Sequence, residues 1–335
     1  MPESPAMLSH NDPATSPRQA AGTVRLVTVL AFLCCVYNWP CFSQAPTFET
    51  VLARARQVVA DFAGTLGVLV ADEECEQKAY ESLREAKGST SLGNPVQIGG
   101  LNPVRVDPRG KRRWRAAIAI APTPGSAVAG RPWLEVRNVL QVDGHPVPNQ
   151  ADRLSHLFRR PDWTAEDAEE ISQESARLNI GPSGRLVASP WLPLLVLHPT
   201  NERRFSFQKT GEESVQKTKA WKIDYRERTA PTLFMAGNNP CGTAGTLWVD
   251  PISGRVLRAL LQCVDLQRSD FLSVMTATYR QDERFGLEVP VEMSERPESD
   301  SGKEWLGSPG KLWVEAKCSY SGFRKLDAGS AAPEK

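Results

Sequence analysis

The sequence predicts an α+β protein built on a curved antiparallel β-sheet, mostly C-terminal, covered on one face by two amphipathic helices. Three observations carry this. From Thr47 to Leu66 the residues Phe48, Val51, Leu52, Ala55, Val58, Val59 and Phe62 recur at three- and four-residue steps, which lines one helical face with apolar side chains. From Trp163 to Leu178 a second helix is signalled by Thr164 and Asp167 in capping positions, acidic residues near its start, and Asn179 and Gly181 past its end. After Pro199 the texture changes to short β-prone runs separated by turn residues, the spacing of an antiparallel meander.

The 335-residue chain opens on a polar, Pro/Ser-rich stretch to Ala21, followed by Arg25, the apolar run Leu26–Val36, and small residues at Ser43 and Ala45. This is the layout of an export signal. Residues 1–45 are therefore read as a signal peptide with a polar N-terminal extension; cut points after Ser43 and after Ala45 both fit, and Met7 is an alternative start. The apolar run is shorter than the roughly 20 residues that a membrane-spanning helix needs. The expectation is a soluble exported protein, periplasmic or extracellular, with one domain over residues 46–326 and a disordered Ala/Gly/Ser/Pro-rich tail at 327–335.

Within the domain, Val68–Tyr80 reads as a first strand, Lys87–Asn94 as a Gly/Ser-rich connection, Trp114–Ala121 as an apolar strand and Pro122–Pro132 as a loop. Trp133–Val142 is a strand turned by Asp143-Gly144, a strong hairpin signal. Asp152–Phe158 then places Leu154, Leu157 and Phe158 together on a helical turn, and Glu174 and Arg177 are spaced to pair on the surface of the second helix. Pro190–Pro199, PWLPLLVLHP, is apolar but broken by proline, which predicts a buried loop or short helix. The C-terminal strands are Arg203–Lys209, Lys219–Arg228, Pro231–Ala236, Gly245–Asp250, Arg255–Val264, Asp270–Arg280, Phe285–Glu295 and Lys311–Tyr320, with Pro290 marking an edge position or a bulge.

Removal of the leader leaves Cys75, Cys241, Cys263 and Cys318, an even number in an oxidising compartment, which points to disulfides. No Cys-x-x-Cys spacing supports a metal or redox site. The turn Pro251–Gly254 sets Asp250 opposite Arg255, Val249 opposite Val256 and Trp248 opposite Leu257. Continued outward, that register puts Cys241 opposite Val264 and Cys263 opposite Gly242, one position from facing each other. A bulge, for which Gly242 and Gly245 give room, brings them within reach. The expected pairs are Cys241–Cys263 and, by elimination, Cys75–Cys318.

The chemistry-bearing residues are sparse. A net charge of +1 suggests no polyanionic partner. The basic cluster Arg105, Arg109, Lys111, Arg112, Arg113 and Arg115 surrounds Pro108-Arg109-Gly110 and reads as a solvated loop rather than a nucleic-acid patch. His145, beside Asp143 on the hairpin turn, is the one candidate general base for a hydrolase, but no nucleophile motif accompanies it. His156 and His198 are scattered, and no metal or cofactor is expected. Glu73, Glu74 and Glu76 read as a solvated face. The C-terminal aromatics are more informative: Trp221, Tyr225, Trp248, Phe271, Tyr279 and Trp313 fit a sheet core, or line the apolar cup of a curved sheet that holds a lipid-like ligand.

The segments WLEVRNVLQVDGHPV, ADRLSHLF, ISQESARLNIG, RRFSF, LWVDPISGRVLRALL and FGLEVPVEMSE resemble those of a family of uncharacterised exported bacterial proteins, a resemblance that implies export and no particular activity. More distantly, a helix leading into an antiparallel meander with a W-x-DP-x-x-G-x-V hairpin is similar to the LolA-like half-barrels of outer-membrane lipoprotein carriers. That similarity implies a half-barrel-like sheet, a lipid or lipoprotein partner and peripheral association with the envelope. The present chain differs by a long insert from Trp114 to Pro199. The expected function is noncatalytic binding, with a structural, core-filled envelope protein as the alternative.

Overall fold

The computed structural model describes residues 45–81, 110–125, 130–180, 188–228, 230–236, 239–265, 272–298 and 312–326. The leader, the Lys87–Asn94 connection and the C-terminal tail lie outside them. Among the described residues there are three helices, α1 (Phe48–Thr65), α2 (Arg153–Arg159) and α3 (Ala165–Ala176), with two 3-10 turns at Leu192–Leu197 and Pro199–Arg204. The strands are β1 (Val68–Glu81), β2 (Gly110–Pro122), β3 (Trp133–Val142), β4 (His145–Pro146), β5 (Phe205–Val215), β6 (Thr218–Glu227), β7 (Phe234–Ala236), β8 (Asn239–Val249), β9 (Val256–Asp265), β10 (Leu272–Asp282), β11 (Leu287–Glu298) and β12 (Leu312–Leu326). They form one antiparallel sheet in the order β4-β3-β2-β1-β12-β11-β10-β9-β8-β6-β5, with β7 against β8. The sheet is not closed into a barrel.

The helix starts follow their sequence signals. The Thr47 hydroxyl accepts the Thr50 N–H at 3.3 Å. Thr164 and Asp167 form a reciprocal capping box, each side chain accepting the other's backbone N–H at 3.2 and 2.9 Å. Glu174 departs from expectation: its carboxylate pairs with Arg153 of α2, while Arg177 closes the helix by donating its backbone N–H to Glu174 O. The β3–β4 turn has positive φ at Asp143 (49°) and Gly144 (86°), as a two-residue hairpin of primed type requires.

Side chains alternate across a strand, so the sheet has two faces with separate cores. On the inner face, α1 packs Val51, Ala55, Val59 and Phe62 against Leu69, Ile118, Ile120 and Trp133, in a cluster continuous with Ile223, Leu247, Ala259, Ala277 and Val289. On the outer face, α2 and α3 pack Leu154, Leu157, Phe158, Ala168 and Ile171 on Val70, Ala117, Ala119, Ala121 and Val136. The two main helices were expected on one face; they lie on opposite faces. The reason is the run Ala116–Ala121 of β2, buried at every position, which offers apolar side chains both ways and needs cover on both sides.

Two further expectations are corrected. The basic residues Lys111, Arg112, Arg113 and Arg115 are not in a loop, because β2 begins at Gly110; Arg105 and Arg109 lie outside the described residues. The β8–β9 hairpin keeps Val249 opposite Val256 but carries its bulge at Leu257, so that Trp248 faces Arg258 and Thr243 faces Cys263. That one-residue shift turns Cys241 and Cys263 to the same face on diagonal positions, where they form the expected disulfide with Cα atoms 5.4 Å apart. Cys75 and Cys318 are directly opposite in the β1–β12 register and are bonded, Cα atoms 4.1 Å apart. Beside Pro290, Val291 is the extra residue of a bulge, with Thr278 facing Glu292 and Tyr279 facing Pro290.

Candidate functional site

Of the aromatics expected to line a ligand cup, Trp221, Tyr225 and Tyr279 reach the inner face and are buried there. Tyr225 donates its hydroxyl to Leu260 O at 3.0 Å, across Gly245, and Tyr279 donates to Pro190 O at 2.5 Å. Burial raises both phenols, so they stay protonated donors. Trp248 is elsewhere: it belongs to a small outer-face cluster with Val215, Ala220 and Leu257. There its Nε1–H donates to Glu213 at 2.8 Å, and the Arg258 guanidinium sits 4.9 Å above its ring. Trp313 lies on β12 opposite Tyr80, and Phe271 is outside the described residues.

The space in front of the inner-face aromatics is taken by the chain itself. Trp191, Leu194, Leu195, Val196 and Leu197 are each at most 2% exposed and join α1 to the sheet in one continuous core. The proline-broken segment PWLPLLVLHP is thus a 3-10 turn buried in the inner-face core. Of its three prolines, Pro193 occupies the first turn, where proline is tolerated, and Pro199 stops the turn from continuing; the turn is pinned by Tyr279 at Pro190 O and by Asn201, whose Nδ2 donates to Leu195 O at 2.9 Å.

Beneath this segment is a polar centre that the sequence reading placed on the surface. Glu73 is fully buried; its carboxylate takes two bonds from Arg137, Nε at 2.6 Å and Nη2 at 2.9 Å. Burial disfavours the Arg137 charge, but attraction to Glu73 outweighs it and holds the guanidinium above its ordinary range. Arg137 Nη2 also donates to Ala188 O at 3.1 Å, and the guanidinium lies 5.4 Å over the Trp114 ring. Gln77 and Glu295 continue the centre, accepting the Ile180 and Ala188 N–H groups at 2.9 and 3.2 Å. Strand period gives the missed signal: Glu73 and Gln77 share the parity of Leu69, Ala71 and Cys75, whereas Glu74 and Glu76 share that of Val70. Glu73, Cys75 and Cys318 lie close enough to suggest ligands, but both sulfurs are committed to the disulfide.

His145 is exposed on its turn, and the Asp143 carboxylate beside it accepts the Arg113 N–H at 2.7 Å. His198 is half-buried, edge-on to Trp133 at 6.0 Å, and burial lowers its pKa. His156 is exposed on α2. His198 Nδ1 hydrogen-bonds the exposed Thr200 hydroxyl at 2.8 Å and accepts the Thr200 N–H at 3.3 Å, the contacts of a cap on the second 3-10 turn, and among the described contacts no hydroxyl or thiol meets His145 or His156.

The outer face holds a different feature. Beyond α2 and α3 the strands β2, β1, β12 and β11 floor a groove of about 780 Å³, lined by Glu74, Glu76, Lys78, Arg113, Arg115 and Lys317 among others. Glu76 is met by Lys111 at 2.7 Å, Arg113 at 2.9 Å and Lys78 at 3.0 Å, and the bonds from Lys111 and Lys78 do most to lower its pKa to about 2. Arg115 approaches Glu74 at 3.4 Å.

No family model and no curated protein matches this chain. Among solved structures it is similar to a putative outer-membrane lipoprotein-sorting protein domain from Vibrio parahaemolyticus, at 10% identity and TM-score 0.33, covering 82% of this chain and 91% of that one. It is also similar to a DUF1329 family protein from Desulfovibrio piger, at 11% identity and TM-score 0.31, covering 84% and 94%. The MucA/MucB complex of Pseudomonas aeruginosa follows at 10% identity and TM-score 0.18, covering 83% and 98%. The functional reading rests on the chain's own residues.

Proposed function

We propose that this chain is an exported, noncatalytic binding protein of the cell envelope, with a filled inner face and partners that meet it at its surface. The observation that supports this reading is the occupation of the inner face by Trp191 and Leu194–Leu197, all essentially without solvent contact. A ligand there must displace a packed segment, and removing one large aromatic from such a core costs about 3–5 kcal/mol. A second reading keeps a lipid or lipidated partner against Trp221, Tyr225 and Tyr279. It draws on Trp114 and Trp191, whose buried indole N–H groups have no hydrogen-bond partner and could meet a ligand carbonyl. Native mass spectrometry of the mature protein, purified from its own envelope and then offered phosphatidylglycerol or a triacylated lipopeptide, separates the two. The filled-core reading expects the bare polypeptide mass in both samples; a stoichiometric lipid adduct reverses the order of the readings.

A further inference from the structure

We propose that His198 is an acid-sensitive latch that fastens the second 3-10 turn, Pro199–Arg204, to the cover of the inner face. The proposal rests on the filled-face reading only in taking the first 3-10 turn as that cover. His198 stands at the joint between the two turns: its backbone N–H donates to Leu195 O at 3.2 Å, and its carbonyl accepts the Asn201 N–H at 2.8 Å. Its side chain is the N-cap of the second turn, where Nδ1 accepts the Thr200 N–H at 3.3 Å and meets the Thr200 hydroxyl at 2.8 Å. An N-cap needs an acceptor. A neutral imidazole with its proton on Nε2 supplies one; an imidazolium does not, because both ring nitrogens then donate. The protonated ring can still donate to the Thr200 hydroxyl, but it must give up the Thr200 N–H.

The second turn is a hub, so its cap governs more than one bond. Asn201, fully buried, donates from Nδ2 to Gly130 O, on the β2–β3 connection, at 2.8 Å and to Leu195 O at 2.9 Å. Arg56 of α1 reaches Glu202 at 2.6 Å. Arg204 donates to Pro231 O, on the β6–β7 connection. One short turn thus ties α1 and two inter-strand connections to the inner-face segment, and His198 sets where that turn begins.

The surroundings favour the neutral ring. The charged groups of the elements around it are Glu202, Arg203 and Arg204 on the second turn, Arg131, Glu135 and Arg137 on either side of Trp133, and Arg56 and Asp61 on α1. Glu202 is engaged by Arg56, Asp61 by Gln57 and Glu135 by the Trp133 indole, and among the described contacts no carboxylate pairs with His198. The ring is half-buried and edge-on to Trp133, and burial is what lowers its pKa. The folded state therefore holds the histidine proton less tightly than the unfolded chain. The stabilisation is complete above the ordinary histidine value of about 6.5 and is lost as pH falls from there through the lowered folded value.

The test is amide hydrogen exchange, read by NMR and corrected for intrinsic rates, on the mature, disulfide-intact protein at about pH 7.5 and about pH 5, either side of the histidine range. On acidification the Thr200 and Asn201 amides should lose protection by about three- to thirtyfold relative to the Ile118 amide, the span that loss of a cap accounts for. His198→Asn keeps a cap acceptor and does not titrate, so it should hold the neutral protection at both pH values. His198→Phe keeps a ring against Trp133 but has no acceptor, and should show the reduced protection at both. His145→Asn, on the exposed hairpin turn, should follow the wild-type chain. The proposal is overturned if Thr200 and Asn201 keep their protection in acid, if they lose it only in step with Ile118, or if His198→Asn loses it as the wild-type chain does. Failure of the filled-face reading looks different: the Leu194 and Leu197 amides would be poorly protected at neutral pH already, in His198→Asn as in the wild-type chain.

Discussion

The strands from β4 to β12 and the strands from β11 to β5 share one sheet but solve the burial problem differently. In the first group the sheet is sandwiched: α1 and the 3-10 turn lie on one face and α2 and α3 on the other, so β2 reads as an unbroken apolar run where both cover it. In the second group only the inner face is covered by helix and 3-10 turn, and from Trp221 to Tyr225 β6 alternates buried and partly exposed positions. The two groups meet where β11 pairs with β12 only over Glu292–Glu295, while β12 follows β1 along nearly its whole length. Charge belongs to different places as a result. The sandwiched group buries an ion pair, and its outer face, once past the helices, turns abruptly from alanine to lysine, arginine and glutamate. The one-sided group keeps Arg258–Glu213 on a wet face, and in Arg255–Glu288 and Arg284–Asp282 it buries the carboxylate while the guanidinium stays more exposed.

The largest expected difference between the groups is in those pairs. Arg137→Met leaves Glu73 charged and unpaired in the interior and should lower stability by about 3–5 kcal/mol in urea unfolding. Arg258→Met removes the partner of Glu213 at 3.1 Å, a pair 29% and 41% exposed, and should cost about 1 kcal/mol or less. Equal losses would erase the contrast.

Backbone approach is the next point of comparison. A Cβ at Gly245 would lie 2.0 Å from Leu260 O and 2.5 Å from the Tyr225 hydroxyl, whereas one at Gly211, nearer the sheet edge, meets nothing closer than the Lys222 side chain at 3.9 Å. Gly245→Ala should cost about 1–3 kcal/mol or more through overpacking. Gly211→Ala should be close to neutral by the same measurement.

The smallest expected effect is in pH dependence, where carboxylates of the two groups act in opposite senses. Burial raises Glu227 on β6, whose Oε1 accepts the Leu233 N–H at 2.7 Å while Oε2 has no partner. The folded state then binds this proton more tightly than the unfolded chain. Its cost is full above the raised folded value and is relieved as pH falls through that value toward the ordinary carboxylate range. Glu76 on β1 is lowered to about 2 by Lys111 and Lys78, so its contribution is present above the ordinary carboxylate range and lost as pH falls toward about 2. Thermal melts should therefore rise on mild acidification from neutrality and fall in stronger acid. Glu227→Gln should remove part of the rise and leave the fall, and an unchanged profile would contradict the assignment.

What was legible in the sequence follows the same division. Helix starts, the Asp143-Gly144 turn, most strands and both disulfides were readable because local signals agree with the final packing. The face of α3 was not, because nothing local says that Ala117, Ala119 and Ala121 need a second cover. Glu73 was misplaced because three glutamates within four residues look like a solvated patch until strand parity is applied. The basic run was mistaken for a loop by its neighbour Pro108-Arg109-Gly110. Trp248 was assigned to the inner face with the other aromatics, although its parity opposes that of Leu247 and Val249.

The central claim is that Trp191–Leu197 is a permanent part of the inner core rather than a removable occupant. Native-state hydrogen exchange of the Leu194 and Leu197 amides tests it directly. The amides should exchange only with global unfolding, at the protection of the Ile118 and Leu247 amides in the central strands. Exchange through a local opening, at much lower free energy than those strands, would show that the segment leaves the inner face while the sheet stays folded, and would contradict the claim.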